Sequence, residues 1–162
     1  MKYFFLISFI VIFDQISKIL IKIYLIPREE INVIGDYLRF VFVENPGIAF
    51  GIDLGYPLLL TMLTFFIIIF LFLHFVSLIK NNSSDTLSIA FVLGGAIGNA
   101  IDRLLTQIPI AGYEGVIDFI HLSFGSYEWY TFNVADMSIT IGLILIIYQG
   151  FFVKNIEKQN NI

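Results

Sequence analysis

Residues 57–79 read PLLLTMLTFFIIIFLFLHFVSLI, a stretch of 23 residues without one charged side chain. An α-helix rises about 1.5 Å per residue, so about 20 apolar residues cross the roughly 30 Å hydrocarbon core of a bilayer. Because apolar side chains lie all around this helix, it has no polar face to present to water. The stretch therefore predicts a transmembrane helix.

Three further segments are long and apolar enough to span a bilayer. They are residues 3–26, 86–105 and 133–153. The first begins Met-Lys like a signal peptide, but Asp14, Gln15 and Lys18 interrupt it and no A-x-A cleavage site follows, so we expect a retained helix. The predicted fold class is an all-α membrane protein, in which residues 1–162 form a single membrane domain with four transmembrane helices.

The composition of the chain excludes other classes of protein. Hydrophobic residues make up 58% and charged residues 14%, which leaves too little polar surface for a water-soluble globule. The same apolar content excludes a disordered chain. A net charge of -4 provides no basic surface for nucleic acid, and the absence of Cys excludes disulfides, thiolate metal sites and a Cys nucleophile.

Basic residues near the helix ends predict the direction of the spans, because cytoplasmic loops are enriched in Lys and Arg. With four spans, both termini and the short loop at 80–85 share one side, which carries Lys2, Lys80, Lys154 and Lys158. The longer loops, at about 27–56 and 106–132, carry only Arg28 and Arg39, apart from Arg103 at a helix end. We therefore expect both termini in the cytoplasm and the two longer loops outside.

Each of the longer loops has a pattern of its own. In the first, Glu30–Ile34 and Tyr37–Val43 resemble short strands, with Gly35-Asp36 as a hairpin turn. The second contains chain breakers and the aromatic residues expected at a membrane interface. These are Pro109, Gly112, Gly115, Gly125, Tyr127, Trp129 and Tyr130.

Charged side chains inside the spans are costly in hydrocarbon and are therefore candidates for function. Asp14 and Lys18 lie four residues apart on the first helix and can pair, either as a structural ion pair or in contact with a substrate. In the third span, the glycines at 94, 95 and 98 favour close helix packing through the spacing Gly94-x-x-x-Gly98.

Three polar residues follow these glycines within one turn, namely Asn99, Asp102 and Arg103. Asn99 and Asp102 share one face of the helix, while Arg103 either neutralises Asp102 or extends to the interface. A scaffolding role for this group is at least as well supported as a catalytic one.

Two further aspartates border the second long loop. Asp136 takes the third position of the fourth span, where Asn133 is a natural N-cap and an acid suits the helix dipole. Asp118 lies in the apolar run GVIDFIHL, where desolvation favours a raised pKa and a capped turn is the structural alternative. Because one loop returns the chain to the outer interface, the two carboxyl groups can meet there and share a proton as an acid/base pair.

Other catalytic chemistries lack the residues that they need. His74 and His121 are the only histidines, they lie in a span and in an outer loop, and no H-E-x-x-H motif occurs. The G-x-S-x-G, G-x-G-x-x-G and P-loop patterns are also absent. We therefore expect no metal and no other cofactor.

Five blocks of sequence, in order along nearly the whole chain, resemble the bacterial lipoprotein signal peptidases, also called signal peptidase II. FDQISK at 13–18 is similar to the family's D-Q-x-x-K pattern, and ENPGIAFG at 44–51 is similar to its N-x-G-x-A-F-G block. GGAIGNAIDR at 94–103 resembles G-N-x-x-D-R, VIDFI at 116–120 resembles V-V-D-F, and FNVADMSITIG at 132–142 resembles F-N-x-A-D. One block alone would be weak, whereas five in order on four spans are specific.

The resemblance implies a membrane aspartic peptidase of the bacterial cytoplasmic or inner membrane, with Asp118 and Asp136 as the catalytic pair near the outer face. It implies cleavage of prolipoproteins immediately before a diacylglyceryl-modified cysteine, by a water activated between the two aspartates. Membrane lipid and cyclic-peptide inhibitors such as globomycin are the other implied partners. The implied fold adds a small extracytoplasmic β-rich cradle and a short helix to four membrane helices.

The resemblance also implies substrate-binding or supporting residues in the matching blocks. These are Asp14, Lys18, Asn45, Gly47, Asn99, Asp102, Arg103, Asn133 and Ala135, with Ala49 and Phe50 belonging to the second block. The segment LLTQIPIAGYEG at 104–115 is longer than the family pattern leads us to expect. Either the third helix extends further, or the outer loop carries an insertion beside the site.

Two interpretations from other classes of protein stay open. A small four-helix transporter or channel would line a polar pathway with Asp14, Lys18, Asp102 and Arg103, and would move solutes or ions without cleaving a peptide. A non-catalytic assembly subunit would use the Gly94–Gly98 face, and would tolerate Asn in place of either Asp118 or Asp136.

Overall fold

The computed structural model describes residues 1–25, 30–47 and 55–153. It contains four helices, each long and apolar enough to cross a bilayer, so the four predicted spans are confirmed as helices. They are α1 (Lys2–Tyr24), α2 (Pro57–Lys80), α3 (Thr86–Leu105) and α4 (Val134–Tyr148), the last continued by a π-helix over Gln149–Val153. Five residues named above lie outside the described residues: Arg28, Ala49, Phe50, Lys154 and Lys158.

Helix α3 lies at the centre of the bundle and packs against the other three helices. Its glycines permit this, because a methyl group on Gly98 would stand only 2.7 Å from Asp14 Oδ2 and 3.2 Å from Ala135 Cβ. A methyl group on Gly94 would likewise stand 3.1 Å from Ile10 Cβ. The predicted packing role of these glycines is therefore confirmed, and helices of the same chain cover the face that an assembly subunit would need.

The outer surfaces of α1, α2 and α4 are apolar. On α2, for example, Phe66 is 70% exposed and Phe70 is 65% exposed. An apolar surface of this extent is unfavourable in water but is what a helix presents to hydrocarbon. The chain is therefore a multi-pass membrane protein.

A four-stranded antiparallel sheet adjoins one end of the bundle. Its order is β1 (Ile31–Ile34), β2 (Leu38–Asn45), β3 (Val116–Phe124) and β4 (Tyr127–Glu128). The first two strands form the predicted hairpin, in which Ile34 pairs with Leu38 and Gly35 takes a φ of 49° that favours glycine. Strand β3 is not part of the sequence prediction, and it pairs along β2 with Val43 opposite Asp118.

The segment at 104–115 is mostly a loop rather than an extension of the third helix. Helix α3 ends at Leu105, and a single turn of 3₁₀-helix follows over Pro109–Ala111. Gly112 then takes a φ of 63°, which directs the chain into β3. This loop therefore connects the centre of the bundle to the middle of the sheet.

Candidate active site

Asp118 lies in strand β3 and not in a capped turn. Its side chain is only 4% exposed, and its neighbours Ile117 and Phe119 are buried as well. On the adjoining strand β2, the side-chain amide of Asn45 donates to Asp118 Oδ2 at 3.1 Å. The strand therefore holds a carboxyl group in a nearly water-free position, with a polar partner supplied by its neighbour.

Asp136 lies in the first turn of α4. The Asn133 side chain accepts a hydrogen bond from the Asp136 N–H at 2.9 Å, and Asp136 Oδ2 accepts one from the Asn133 N–H at 3.1 Å. This reciprocal capping box confirms the predicted N-cap. Immediately before it, Phe132 exchanges two backbone hydrogen bonds with Ile120 of β3, which fixes the start of α4 beside that strand.

Asn133 also joins the two aspartates. Its side-chain amide donates to Asp118 Oδ1 at 2.6 Å, while its backbone N–H donates to Asp136 Oδ2. A further amide donor, Asn99 Nδ2, lies 2.8 Å from Asp136 Oδ1. The structure thus brings Asp118 and Asp136 to one place, and each of their four oxygens accepts a hydrogen bond from an asparagine.

The environment of Asp118 changes its acidity. Burial raises its pKa to about 7, and the negative charge of Asp136 acts in the same direction. The amides of Asn45 and Asn133 lower the pKa by a smaller amount, because they stabilise the carboxylate. A carboxyl group of this kind exchanges protons readily near neutral pH, as general acid–base catalysis requires.

A buried ion group lies beneath the two aspartates. Lys18 Nζ stands 2.9 Å from Asp14 Oδ2, 2.9 Å from Asp102 Oδ2 and 2.9 Å from Asn99 Oδ1. The side chains of Asp14, Lys18 and Asp102 are each no more than 1% exposed. The predicted pairing of Asp14 with Lys18 is present, and Asp102 shares that same lysine instead of forming its ion pair with Arg103.

The ion group also holds the two elements that carry the aspartates. Asp14 Oδ1 accepts the backbone N–H of Ala135 in α4 at 2.9 Å. Asp102 Oδ2 accepts the backbone N–H of Ile117 in β3 at 3.1 Å. Helices α1 and α3 therefore fix α4 and β3 relative to each other, directly beside Asp136 and Asp118.

Gln15 is a member of this group that the residue-by-residue reasoning did not assign a role. Its Nε2 donates to Asp14 Oδ2 at 3.2 Å, to Asp102 Oδ1 at 3.1 Å and to the Gly98 carbonyl at 3.1 Å. One feature of the sequence could have indicated a role for Gln15: it places an amide next to a charged residue in the middle of an apolar span, where an unsatisfied polar group is costly.

Arg103 and Gly47 lie at the edge of the site. The Arg103 guanidinium donates to the Gly47 carbonyl at 3.4 Å, and Gly47 N–H donates to Asn45 Oδ1 at 3.0 Å. Arg103 is thus linked through the Gly47 turn to the asparagine that contacts Asp118. Whether Asn45 and Arg103 also contact a substrate stays a prediction.

Lys22, near the end of α1, contacts the loop that precedes β3. Its Nζ lies 3.5 Å from the centre of the Tyr113 ring, donates to the Gly112 carbonyl at 2.5 Å and stands 3.6 Å from Glu44 Oε1. Sequence reasoning gave this lysine no role, because no pattern places its partners, in β2 and in the loop before β3, near α1.

Asp118 borders a cavity of about 250 Å³. Besides Asp118, the cavity is lined by the end of β2, by the residue that follows it and by the segment between β4 and α4: Val43, Glu44, Asn45, Pro46, Tyr130 and Thr131. In the described part of the chain, no group of three or more His, Cys, Asp or Glu residues is placed to hold a metal ion. The arrangement offers a pair of carboxyl groups, of which Asp118 borders a cavity, at the end of a membrane helix bundle.

Comparisons with known proteins agree on one family. The family model described as signal peptidase (SPase) II matches residues 6–152. The lipoprotein signal peptidase of Chlorobium phaeobacteroides is 38% identical, over 95% of this chain and 100% of that protein. That of Geobacillus kaustophilus is 32% identical, over 99% of each chain.

Solved structures show the same likeness. A bacterial membrane enzyme determined by the in meso method at 2.3 Å resolution has a TM-score of 0.76 and 32% sequence identity, covering 99% of this chain and 90% of that chain. A second, at 1.9 Å resolution, has a TM-score of 0.74 and 32% identity, covering 93% of each. The chain shares its fold with these membrane enzymes, and the family model and the relatives show that it belongs to the signal peptidase II family.

Proposed function

We propose that this chain removes the signal peptide from prolipoproteins by hydrolysing the peptide bond before a diacylglyceryl-modified cysteine. Its relatives are lipoprotein signal peptidases, and its own residues supply a suitable pair of carboxyl groups. The observation that most supports this proposal is that the backbone N–H of Asn133 donates to Asp136 while its side-chain amide donates to Asp118. A water molecule held between Asp118 and Asp136 is then in contact with both an acid and a base.

In the proposed reaction, the pair begins with one proton shared between the two aspartates. The ionised carboxylate takes a proton from water while the water oxygen bonds to the carbonyl carbon, and the protonated carboxyl group hydrogen-bonds to the carbonyl oxygen. When the C–N bond breaks, a proton passes to the leaving nitrogen. The products are a signal peptide with a new carboxylate and a mature chain with a free α-amino group on its cysteine.

Asn133, Asn99 and Asn45 are positioning residues in this scheme. Each donates an amide hydrogen to an oxygen of one of the two aspartates. Donors of this kind hold a carboxylate in one orientation without supplying a competing charge. Lys18 and Asp102 act one step further away, through Asn99 and the backbone of β3.

We place the site at the outer face of the cytoplasmic membrane, with both termini in the cytoplasm. The charge distribution of the loops supports this direction. Asp102 and Arg103 lie within the last turn of α3, and Asp136 lies in the first turn of α4. The site is therefore about one helical turn below the end of the bundle, where a lipid-modified cysteine would lie.

We expect different parts of the substrate to contact lipid and protein. The apolar signal segment would lie as a helix against the exposed apolar helices, and the diacylglyceryl chains would stay in lipid. Cyclic-peptide inhibitors such as globomycin would compete for the cavity beside Asp118. Transport is not favoured, because Asp14, Lys18 and Asp102 are already paired with one another in a group no more than 1% exposed, while Arg103 bonds to the Gly47 carbonyl.

The test is cleavage in detergent of a prolipoprotein with and without the diacylglyceryl group on its cysteine. We expect mass spectrometry to find one cut, immediately before the modified cysteine, and no cut in the unmodified substrate. Cleavage at another bond, or equal cleavage of both substrates, would contradict the proposal. A relative of the same family, assayed in parallel, shows that the substrate is competent.

A further inference from the structure

A second cavity lies over the sheet, next to the one that Asp118 borders. Its volume of about 320 Å³ is at the lower end of the range for ligand sites. Charged and polar side chains dominate its lining, above a floor formed by residues 41–43 of β2. These side chains are Glu30, Arg39, His121, Glu128 and Thr131.

The two cavities adjoin each other. Val43 and Thr131 line both of them. His121, in the second cavity, follows Asp118 by three residues along β3, which corresponds to roughly 10 Å in a strand. An extended peptide covers that distance in about three residues, so a substrate cut at Asp118 reaches this cavity with residues close to the cut.

In the second cavity, a largely covered arginine is paired with two more exposed carboxylates. Arg39 donates to Glu30 at 2.5 Å and to Glu128 at 3.3 Å. Its own side chain is only 19% exposed, whereas those of Glu30 and Glu128 are 48% and 67% exposed. Two outward carboxylates against one covered guanidinium give the rim of the cavity a net negative charge.

We propose that this cavity is a subsite for the residues that follow the scissile bond, and that it favours basic side chains there. The assignment rests on the proposed function, which places a peptide bond at Asp118. The apolar signal segment belongs to the lipid-facing side of the bundle, so the polar chain after the cysteine leaves across the polar side. The second cavity supplies a polar path over the sheet, and its negative rim selects positive charge.

Three diacylglyceryl-modified substrates test the subsite. They share one sequence up to the cysteine and carry Lys, Gln or Glu at the second to fourth positions after the cut. We expect kcat/KM to fall in the order Lys, Gln, Glu, by roughly two- to fivefold for each charge altered. In the double variant Glu30→Gln with Glu128→Gln, Arg39 is left without its partners and the order reverses.

A matched double variant, Glu114→Gln with Asp36→Asn, removes the same charge from exposed positions that do not line the cavity, and keeps the wild-type order. Glu128→Gln alone is a milder change that serves if the double variant folds poorly. We expect it to halve the preference for the Lys substrate over the Glu substrate. If all three substrates are cleaved equally, or if the Glu30/Glu128 variant keeps the wild-type order of kcat/KM, the subsite proposal is wrong but the proposed peptidase activity is not affected. Cleavage of none of them overturns both.

Discussion

Lys18 is the residue on which most of the site depends. It is buried within 2.9 Å of two carboxylates and one amide oxygen, and its partners hold α4 and β3. Burying three charges is costly, and the cost is offset only while each charge keeps its partners and hydrogen bonds. The group therefore acts as a unit, and removal of one member leaves the other buried charges without compensation.

We expect Lys18→Met to lower the free energy of unfolding by about 3–5 kcal/mol, because it leaves two buried carboxylates without a counter-ion. Thermal unfolding in one detergent, with ligand and lipid held constant, measures the change. Lys2→Met is the matched control, since Lys2 is exposed at the other end of α1. Equal stability of the two variants would contradict the role given to Lys18.

Asp118 sets the upper pH limit of the proposed reaction. Its pKa is raised to about 7, chiefly by burial, so the shared proton is lost as the pH rises through that value. With both carboxyl groups ionised, none remains to hydrogen-bond to the substrate carbonyl. We expect kcat/KM to fall about tenfold per pH unit above this pKa, measured with a substrate that does not titrate there.

A rate that stays level up to pH 9 would contradict this assignment. Thermal unfolding at each pH separates loss of the proton from loss of the fold. The sign for stability follows from the same shift: the native chain keeps a proton that the unfolded chain releases above its ordinary pKa of 3.8. Asp118 therefore makes folding less favourable as the pH rises from about 4 to about 7.

At the scale of single residues, sequence reasoning found the contacts of the ion group that lie within one helix and missed those between helices. The pairing of Asp14 with Lys18 follows from their spacing on one helix. That Asp102 completes the group depends on how α1 and α3 are rotated against each other, which no spacing within either helix determines. Gln15 was overlooked for the same reason.

Helix α3 approaches α1 and α4 only because it has no side chain at the contact. We expect Gly98→Ala to cost about 1–3 kcal/mol, since its methyl group would displace the Asp14 carboxylate from Lys18 and Ala135. Thermal unfolding measures the loss. Gly150→Ala, where a methyl group would meet nothing within 4 Å, is the control and should be close to neutral.

A Gly98→Ala variant as stable as the Gly150→Ala control would mean that α1 can move away without consequence. The ion group would then be less rigid than its contacts indicate. Activity gives a second readout, because a displaced Asp14 releases the N–H of Ala135 at the start of α4.

The elements themselves were predictable where their signal is local. Long apolar runs gave the four helices, and a glycine turn between alternating residues gave the hairpin of β1 and β2. Strand β3 escaped prediction because its main partner β2 lies far back in the chain, while the turn at Gly125 returns only the two-residue strand β4 to its end. The capped turn considered for Asp118 was a local alternative to this long-range pairing.

The whole molecule gathers its polar chemistry at one end of an apolar bundle. The second half of α1, the end of α3, the start of α4 and the strand β3 all meet around the ion group. Sequence reasoning brought Asp118 and Asp136 to one interface because the loop between them must return the chain to the outer interface. The separation of their carboxyl groups and the position of Asn133 between them depend on the sheet, and so appear only in the structure.

The central claim is that Asp118 and Asp136 act together on one water molecule. Cleavage of a diacylglyceryl-modified prolipoprotein should fall by about 10²–10⁴-fold in both Asp118→Asn and Asp136→Asn, since each removes one half of the acid/base pair. Asp36→Asn, an exposed aspartate in the turn between β1 and β2, should cleave at the wild-type rate. If either variant of the pair unfolds at the wild-type temperature and still cleaves at close to the wild-type rate, the pair is not the catalyst.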